Sequence, residues 1–294
     1  MKQGILFILL IIVCTSVRSQ IDSTKSKSDS IQMGNLIIIN QPGEKSSSKA
    51  SNDEEDSSRH LRHQRRGNFS SKDWVIDIGF ANFTDKTDYA FSNSQNYTVS
   101  RNGSNPLSAN DFKLRQIKSS NFNLWFFMQR MNLVKHFVNL KYGLGLEFNN
   151  YRFEKSISFK EGGPNPYNSS MNINHAFAFM DSVSFKKDKL ALNYITVPLM
   201  LNFQTNPNYS DKGISFSAGI SMGYLISSRN KQISSERGKR HNKGDFDNEK
   251  FKLSYIGELG LGKVRLYGSY SPKSVFQKGL DLRPYSIGIR FSRW

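Results

Sequence analysis

At 294 residues, with a net charge of +17 and 13% aromatic side chains, the chain has room for one sizeable domain and appendages. A mean hydropathy of -0.54 excludes a bundle of membrane-crossing helices, each of which needs about twenty consecutive apolar residues. The positive charge is scattered through segments such as Arg229 to Lys250, which also hold Glu236, Asp245, Asp247 and Glu249, so no nucleic acid is expected as a partner.

Met1 to Gln20 combines Lys2, an unbroken apolar run from Ile5 to Val13 and the ending Val17-Arg18-Ser19. This is the pattern of a secretory signal peptide, residues 1–19, with cleavage predicted between Ser19 and Gln20. An uncleaved anchor is the alternative, but the run is short for a span. Cys14 is the only cysteine, and Val13 stands before it where an acylation site wants Gly, Ala or Ser. Cleavage after Ser19 leaves no cysteine, which rules out disulfides and thiolate zinc sites.

Residues 20–72 are rich in Ser, Lys, Asp and Glu, and they read as a flexible periplasmic linker with too little apolar surface to offset the entropy of ordering. One β-prone island interrupts it. Asn35-Leu36-Ile37-Ile38-Ile39-Asn40 has the composition to add to a sheet edge or to recruit a periplasmic partner by strand addition. His60 and His63 supply two metal ligands in a tail, fewer than a closed site requires.

From residue 73 to 294 alternate residues are apolar, and a period of two means strand. Trp74 to Phe83 sets Trp74, Ile76, Ile78 and Phe80 against Val75, Asp77, Gly79 and Ala81. Ser120 to Met131 sets Phe122, Leu124, Phe126 and Met128 against Asn121, Asn123 and Gln129, with Trp125 and Phe127 blurring the polar face. Val138 to Phe148 alternates cleanly with Asn139, Lys141, Gly143, Gly145 and Glu147. Further strands are predicted from Leu190 to Gln204, Gly213 to Ser227, Phe251 to Leu261, Val264 to Tyr270 across a tight Gly262-Lys263 turn, and Tyr285 to Phe291.

One face of these strands carries Gly, Ser, Asn and single charges, which cannot build a dry core; the other is continuously aliphatic and aromatic over about ten residues. A soluble barrel would reverse this, with an apolar interior and a polar exterior. The pattern predicts an all-β fold, an eight-stranded antiparallel up-and-down transmembrane β-barrel in the outer membrane, since only a closed sheet leaves no unpaired backbone in lipid. Long connections (84–119, 154–189, 228–250) alternate with short ones (132–135, 262–263), and short turns belong to the periplasmic side. The expected partners are outer-membrane lipid and lipopolysaccharide, which basic outer loops would touch, and the barrel-assembly machinery during insertion. Trp74, Trp125, Tyr194, Tyr224, Tyr255, Tyr270, Tyr285 and Trp294 form the predicted headgroup girdle.

Asn193-Tyr194-Ile195-Thr196-Val197-Pro198-Leu199-Met200-Leu201 resembles a strand of the PorT-like outer-membrane β-barrel family. Pro198 lacks a donor, so a bulge or bend is expected there. Gly143 to Tyr151, Leu282 to Gly288 and the Ile-rich island are similar to the same family. The resemblance implies involvement in secretion and assigns a barrel-insertion signal to the last strand, carried by Tyr285, Ile287, Ile289, Phe291 and Trp294. In such barrels that signal ends on an outward aromatic; here Phe291 is in frame but Ser292, Arg293 and Trp294 follow it.

Small outer-membrane barrels with lipid-modifying activity need a nucleophile beside a base. His175 with Ser182 or Ser184 is the best pairing the sequence offers; His136 lies in a turn and His241 in a loop. Asp77, Glu147, Glu258, Lys141 and Arg265 are predicted to point into the lumen and pair with one another. The reading is a non-enzymatic barrel without cofactor or metal, acting as envelope anchor, surface-interaction protein or accessory to an envelope assembly. A lipid-modifying enzyme and a narrow pore are the alternatives.

Overall fold

The computed structural model describes the strands Ile31–Met33 and Leu36–Ile38 and residues 68–206, 213–262 and 264–292. The predicted cleavage site at Ser19 and Gln20, together with Cys14, His60, His63 and Trp294, lies outside them. The chain divides between His63 and Gln64. On the N-terminal side Ile31–Met33 pairs antiparallel with Leu36–Ile38, placing Ile31 opposite Ile38 and Met33 opposite Leu36. The β-prone island thus takes its partner strand from the residues just before it.

Eight strands form the barrel wall of the second unit: β1 (Phe69–Asp85), β2 (Ser120–Val134), β3 (Val138–Arg152), β4 (Lys187–Gln204), β5 (Ile214–Ser234), β6 (Phe251–Leu261), β7 (Val264–Tyr270) and β8 (Leu282–Phe291). Each pairs antiparallel with the next, and β8 returns to β1 with Gly288 opposite Gly79, so the sheet closes as predicted. The alternation sorts the faces. Ile78, Phe80, Leu199, Leu201, Phe216 and Met222 stand exposed on the outside, while Asp77, Asn121, Asn123, Lys141, Ser217 and Glu258 are buried within.

Two local features depart from simple alternation. At Phe126 the register between β2 and β3 slips by one residue, with Trp125 opposite Gly145 but Phe127 opposite Leu144. Before it Trp125 points inward with Asn121 and Asn123, at 5% exposure; the bulge exchanges the two faces of β2 beyond it, so Met128 is fully buried and does not share the outward face of Phe122 and Leu124. Trp74 takes a positive φ of 58° beside the bulge, and its ring meets Phe126 edge-on at 5.9 Å. At Pro198 the register with β3 is unchanged on either side, from Thr196 opposite Gly145 to Leu199 opposite Tyr142, and Val197 and Pro198 are unpaired in that ladder. The missing donor is therefore absorbed by an interruption; the bulge of β4 and β5 sits instead at Asn193 and Tyr194.

Inward glycines set the fit of the interior. Gly79 and Gly288 face each other, and a Cβ on either would stand 2.6–2.7 Å from the Tyr267 ring and hydroxyl. Absence of side chains here is what lets Tyr267 lie across the wall and donate to Asn121 Oδ1.

β1, β4 and β5 run to 17, 18 and 21 residues, well beyond the roughly ten that a tilted strand needs to cross hydrocarbon. Their surplus lies at the long-loop end. Beyond Phe80, Phe148, Ile195 and Ile226 the outward face becomes polar or basic, with Ala191 and Ile233 as the exceptions. A further strand, Gly238–Lys243, pairs with this upper part of β5. The segment predicted as a solvated loop from Arg229 is thus in its first half an extension of the barrel wall.

Candidate functional site

The lumen is filled by an ionic network. Arg290 grips Asp77 through Nε (2.7 Å) and Nη2 (2.8 Å) and reaches Glu258 through Nη1 at 2.9 Å. Glu258 also accepts from Lys141 Nζ at 2.9 Å and from Arg265 Nη1 at 3.1 Å. Higher up, Lys252 donates to Glu147. The five lumen charges predicted from the sequence all point inward, but their organiser, Arg290, and the partner of Glu147, Lys252, were not among them. Strand parity carries the signal for both, since each stands between outward apolar residues. Burial leaves these charges tolerable only because each finds an opposite charge and further donors, such as Trp125 Nε1 on Asp77 at 2.8 Å. The free space beside Arg290, between Trp125, Glu147 and Met200, is about 20 Å³, room for one water molecule.

Above this layer the inward positions turn apolar: Ala81, Tyr151, Leu190, Leu192, Tyr194 and Leu282. They pack against residues from all four outer connections, namely Leu107, Phe112 and Leu114, then Phe153, Ile157, Phe159 and Ala178, then Phe246, then Val275, Phe276 and Leu280. Phe159 lies at the centre, with ring centroids 5.6 Å from Phe276, 5.7 Å from Phe153 and 6.0 Å from Phe246. A small sheet organises the cap, in which Phe177–Met180 pairs antiparallel with Ile157–Lys160 and parallel with Thr98–Val99. Sequence alternation gave no access to this core, because its members come from four connections.

The cap is clamped to the wall by Asp188, which lies above the membrane-crossing part of β4. Its carboxylate accepts from Ile157 N at 2.7 Å and Asn230 Nδ2 at 3.1 Å. Burial pushes its pKa up to about 7, outweighing those hydrogen bonds. Asn230 Oδ1 is buried without a partner among the described residues. Arg237, in the turn after β5, adds a 3.0 Å ion pair to Asp181.

The outer surface of the cap carries two concavities. One, of about 600 Å³, lies between β1 and the first connection and is lined by Phe112, Lys113, Arg115, Ile117, Lys118 and Glu154; Ile117 is 86% exposed. The other, of about 540 Å³, is lined by Arg101, Asn105, Asp111, Lys155, Tyr167 and Asp181 among others.

His175 does not meet Ser182 or Ser184 in a hydrogen bond among the described residues. Its Nε2 lies 3.1 Å from Gln95 O and its Nδ1 3.1 Å from Ala176 O, with the ring 4.3 Å from that of Tyr97. The histidine ties the first and second connections together. Among the described residues no group of three or more His, Cys, Asp or Glu is placed to hold a metal ion. Tyr285, Ile287, Ile289 and Phe291 all face outward on β8. Of the expected girdle, Tyr224, Tyr255, Tyr270 and Tyr285 face outward, the last three in one cross-strand row. Trp125 and Tyr194 do not: the first has the inward parity of Asn121 and Asn123, and the second belongs to the cap core.

The model of the family described as "Outer membrane protein beta-barrel domain" matches residues 90–272. Among curated proteins none matches the sequence. Solved structures similar to this chain include Ail, the attachment invasion locus protein of Yersinia pestis, at 15% identity over 74% of this chain and 97% of that one, with a TM-score of 0.29. A second structure of Ail, in complex with the heparin analogue sucrose octasulfate, gives 16% identity, the same coverage and a TM-score of 0.28.

Proposed function

The chain belongs to the outer-membrane β-barrel family, and from that premise we propose that it is a non-enzymatic, non-conducting surface-interaction protein whose capped outer end is a preformed binding face. The observation that carries this reading is the shared core under the four outer connections, from Leu107 through Phe159 to Leu280. Loops free to move would lose that freedom on binding; loops already ordered by buried aromatic packing do not, and the affinity of the face rises accordingly. The paired charges of the lumen favour a plug over a pore.

The PorT-like strand Asn193 to Leu201 supports a narrower role, an accessory to an envelope assembly with secretion as its output. Under that reading the segment around Leu36 to Ile38 recruits a periplasmic partner, and Tyr285, Ile287, Ile289, Phe291 and Trp294 are read by the assembly machinery during insertion. The test compares the full chain with a variant whose connections 86–119 and 153–186 are replaced by short Gly-Ser turns, each crosslinked in native membranes. A partner lost with the cap supports the surface reading; identical crosslinks from both overturn it. Lipid A from cells carrying His175→Ala should be unchanged, and an altered lipid profile would establish catalysis instead.

A further inference from the structure

On one flank of the barrel extension, just above the apolar band, the outward face is crowded with cations. Reading across four neighbouring strands, Arg152 on β3 stands opposite Lys189 on β4, Lys189 opposite Lys231 on β5, and Lys231 opposite His241 on the strand Gly238–Lys243. The row above runs from Lys187 through Ile233 to Lys239, and the row below from Ala191 through Arg229 to Lys243. Parity puts all of these side chains on the outside, since Asp188, Leu190, Asn230 and Gln232 between them are buried. Seven cations therefore share a patch three strand spacings wide, about 15 Å. No carboxylate occupies an outward position within it.

Among the described residues none of these seven has a carboxylate within 4.0 Å, unlike Lys155, Arg237, Lys252 and Lys273 elsewhere; their gathering on one flank sets them apart. Neighbours in such rows are about 5 Å apart and repel one another. Lys189 registers the crowding: partial burial, followed by Lys187, Lys231, Arg229 and Arg152, pulls its pKa down to about 8. Lys189 Nζ donates to Asn150 Oδ1 at 2.5 Å and Arg152 Nη2 to Lys186 O at 2.8 Å, but both acceptors are neutral; an anion seated across the rows would relieve the repulsion.

Height selects the anion. Arg229 follows the lipid-facing Ile226 by three residues and Lys231 by five. At about 3.3 Å per residue and a tilt near 40°, the cations stand roughly 7–13 Å above the last aliphatic contact on β5. That is the zone of headgroups, and on the long-loop side of the barrel those headgroups are in the outer leaflet.

We propose that Arg152, Lys187, Lys189, Arg229, Lys231, Lys239 and Lys243 form a wall-side binding site for the phosphates of an outer-leaflet glycolipid, with its acyl chains against Ile195, Ile226 and Phe148 below. Lys189 and Lys231 lie at the centre of the site, and Arg152 and Arg229 offer forked donors suited to phosphate oxygens. The site is on the flank of the barrel and is independent of what the cap above it recognises.

The experiment uses the full chain in nanodiscs of phosphatidylcholine, with labelled bisphosphorylated lipid A titrated in and bound lipid read by native mass spectrometry and by energy transfer from the barrel tryptophans. Wild type retains the lipid, dephosphorylated lipid A binds at least tenfold more weakly, and the double variant Lys189→Glu/Lys231→Glu loses at least tenfold in affinity. Lys189→Arg/Lys231→Arg keeps wild-type retention, and heat-modifiable gel mobility checks that both variants are folded. Equal retention of the two lipid A forms overturns the proposal, as does retention unaltered by charge reversal. A soluble sulfated oligosaccharide forms the second arm: if it binds phosphatidylcholine nanodiscs through Lys189 and Lys231 more tightly than lipid A does, the face serves a polyanion from solution and the leaflet assignment falls.

Discussion

Removing the charge of Glu258 should be among the most damaging single changes to the barrel. Its two oxygens accept from three cations, Lys141 at 2.9 Å, Arg290 at 2.9 Å and Arg265 at 3.1 Å, and the Glu258 and Lys141 side chains are each 1% exposed. Arg290 keeps Asp77 as a partner, but Arg265 has no other carboxylate within 4.0 Å among the described residues. Glu258→Gln leaves the volume almost unchanged, takes the shared counter-charge from Lys141 and Arg290 and strands the buried Arg265, a loss of about 3–5 kcal/mol. With an m-value near 2 kcal/mol/M, that is a drop of roughly 2 M in the urea midpoint. Lys141→Met, by contrast, leaves Glu258 with both arginines and should cost about half as much or less. Tryptophan fluorescence during urea titration in detergent micelles measures both, because Trp125 donates to Asp77 in the same network. A Glu258→Gln midpoint within 0.3 M of wild type, or a larger loss from Lys141→Met, would refute the assignment of Glu258 as the common counter-ion.

The Asp188 clamp should make the cap most stable in acid. With a folded pKa of about 7 against roughly 3.9 in the unfolded chain, its contribution is fully present below pH 4 and is lost as pH rises to 7, at most about 4 kcal/mol. Hydrogen exchange at the Ile157 amide, corrected for intrinsic rates, should accelerate over that window, and Asp188→Asn should flatten the profile because a half-turn of the Asn230 amide satisfies the new donor; an unchanged slope in the variant contradicts this. Phe159→Ala empties the centre of the cap core and should cost about 3–5 kcal/mol there. Limited proteolysis should then cut the outer connections while the barrel stays intact, and resistance equal to wild type would deny the cap a core of its own. Gly79→Val drives a side chain into the Tyr267 hydroxyl and the Gly288 backbone; folding yield into micelles should fall severalfold, and an unaffected yield would show that the ring moves aside freely.

Much of this architecture was legible because a strand between lipid and lumen writes its environment into every second residue. Val138 to Phe148 shows the rule, and its inward Lys141 and Glu147 are the buried charges that the pattern marked. β2 shows where the rule stops. The residue added at Phe126 shifts the parity of everything after it, and a single chain segment holds no record of the partner register that reveals the shift. Met128 was therefore assigned to the outward face although it lines the interior; Trp125, before the slip, keeps the inward parity of Asn121 and Asn123, and only its aromatic character suggested the headgroup zone.

The outer end was less legible for a different reason. Arg229 to Ser234 and Gly238–Lys243 are polar and basic, so composition alone describes a loop, whereas their ladder extends the wall. The aromatic core of the cap is assembled from Phe112, Phe159, Phe246 and Phe276, residues separated by tens of positions whose meeting is a property of loop closure. Hydrophobicity marks such residues as buried somewhere, but not against which partner.

By itself the amino-acid order determined the membrane, the closed antiparallel sheet and which charges lie inside it, because those follow from a repeat of two residues and from the cost of unpaired backbone in hydrocarbon. Tertiary structure alone decided the bulge parity, the joining of Arg290 to two carboxylates across the lumen, the capped mouth, and the gathering of cations from four strands on one flank. Each of these depends on register between distant segments, and register is settled only when the strands are laid side by side.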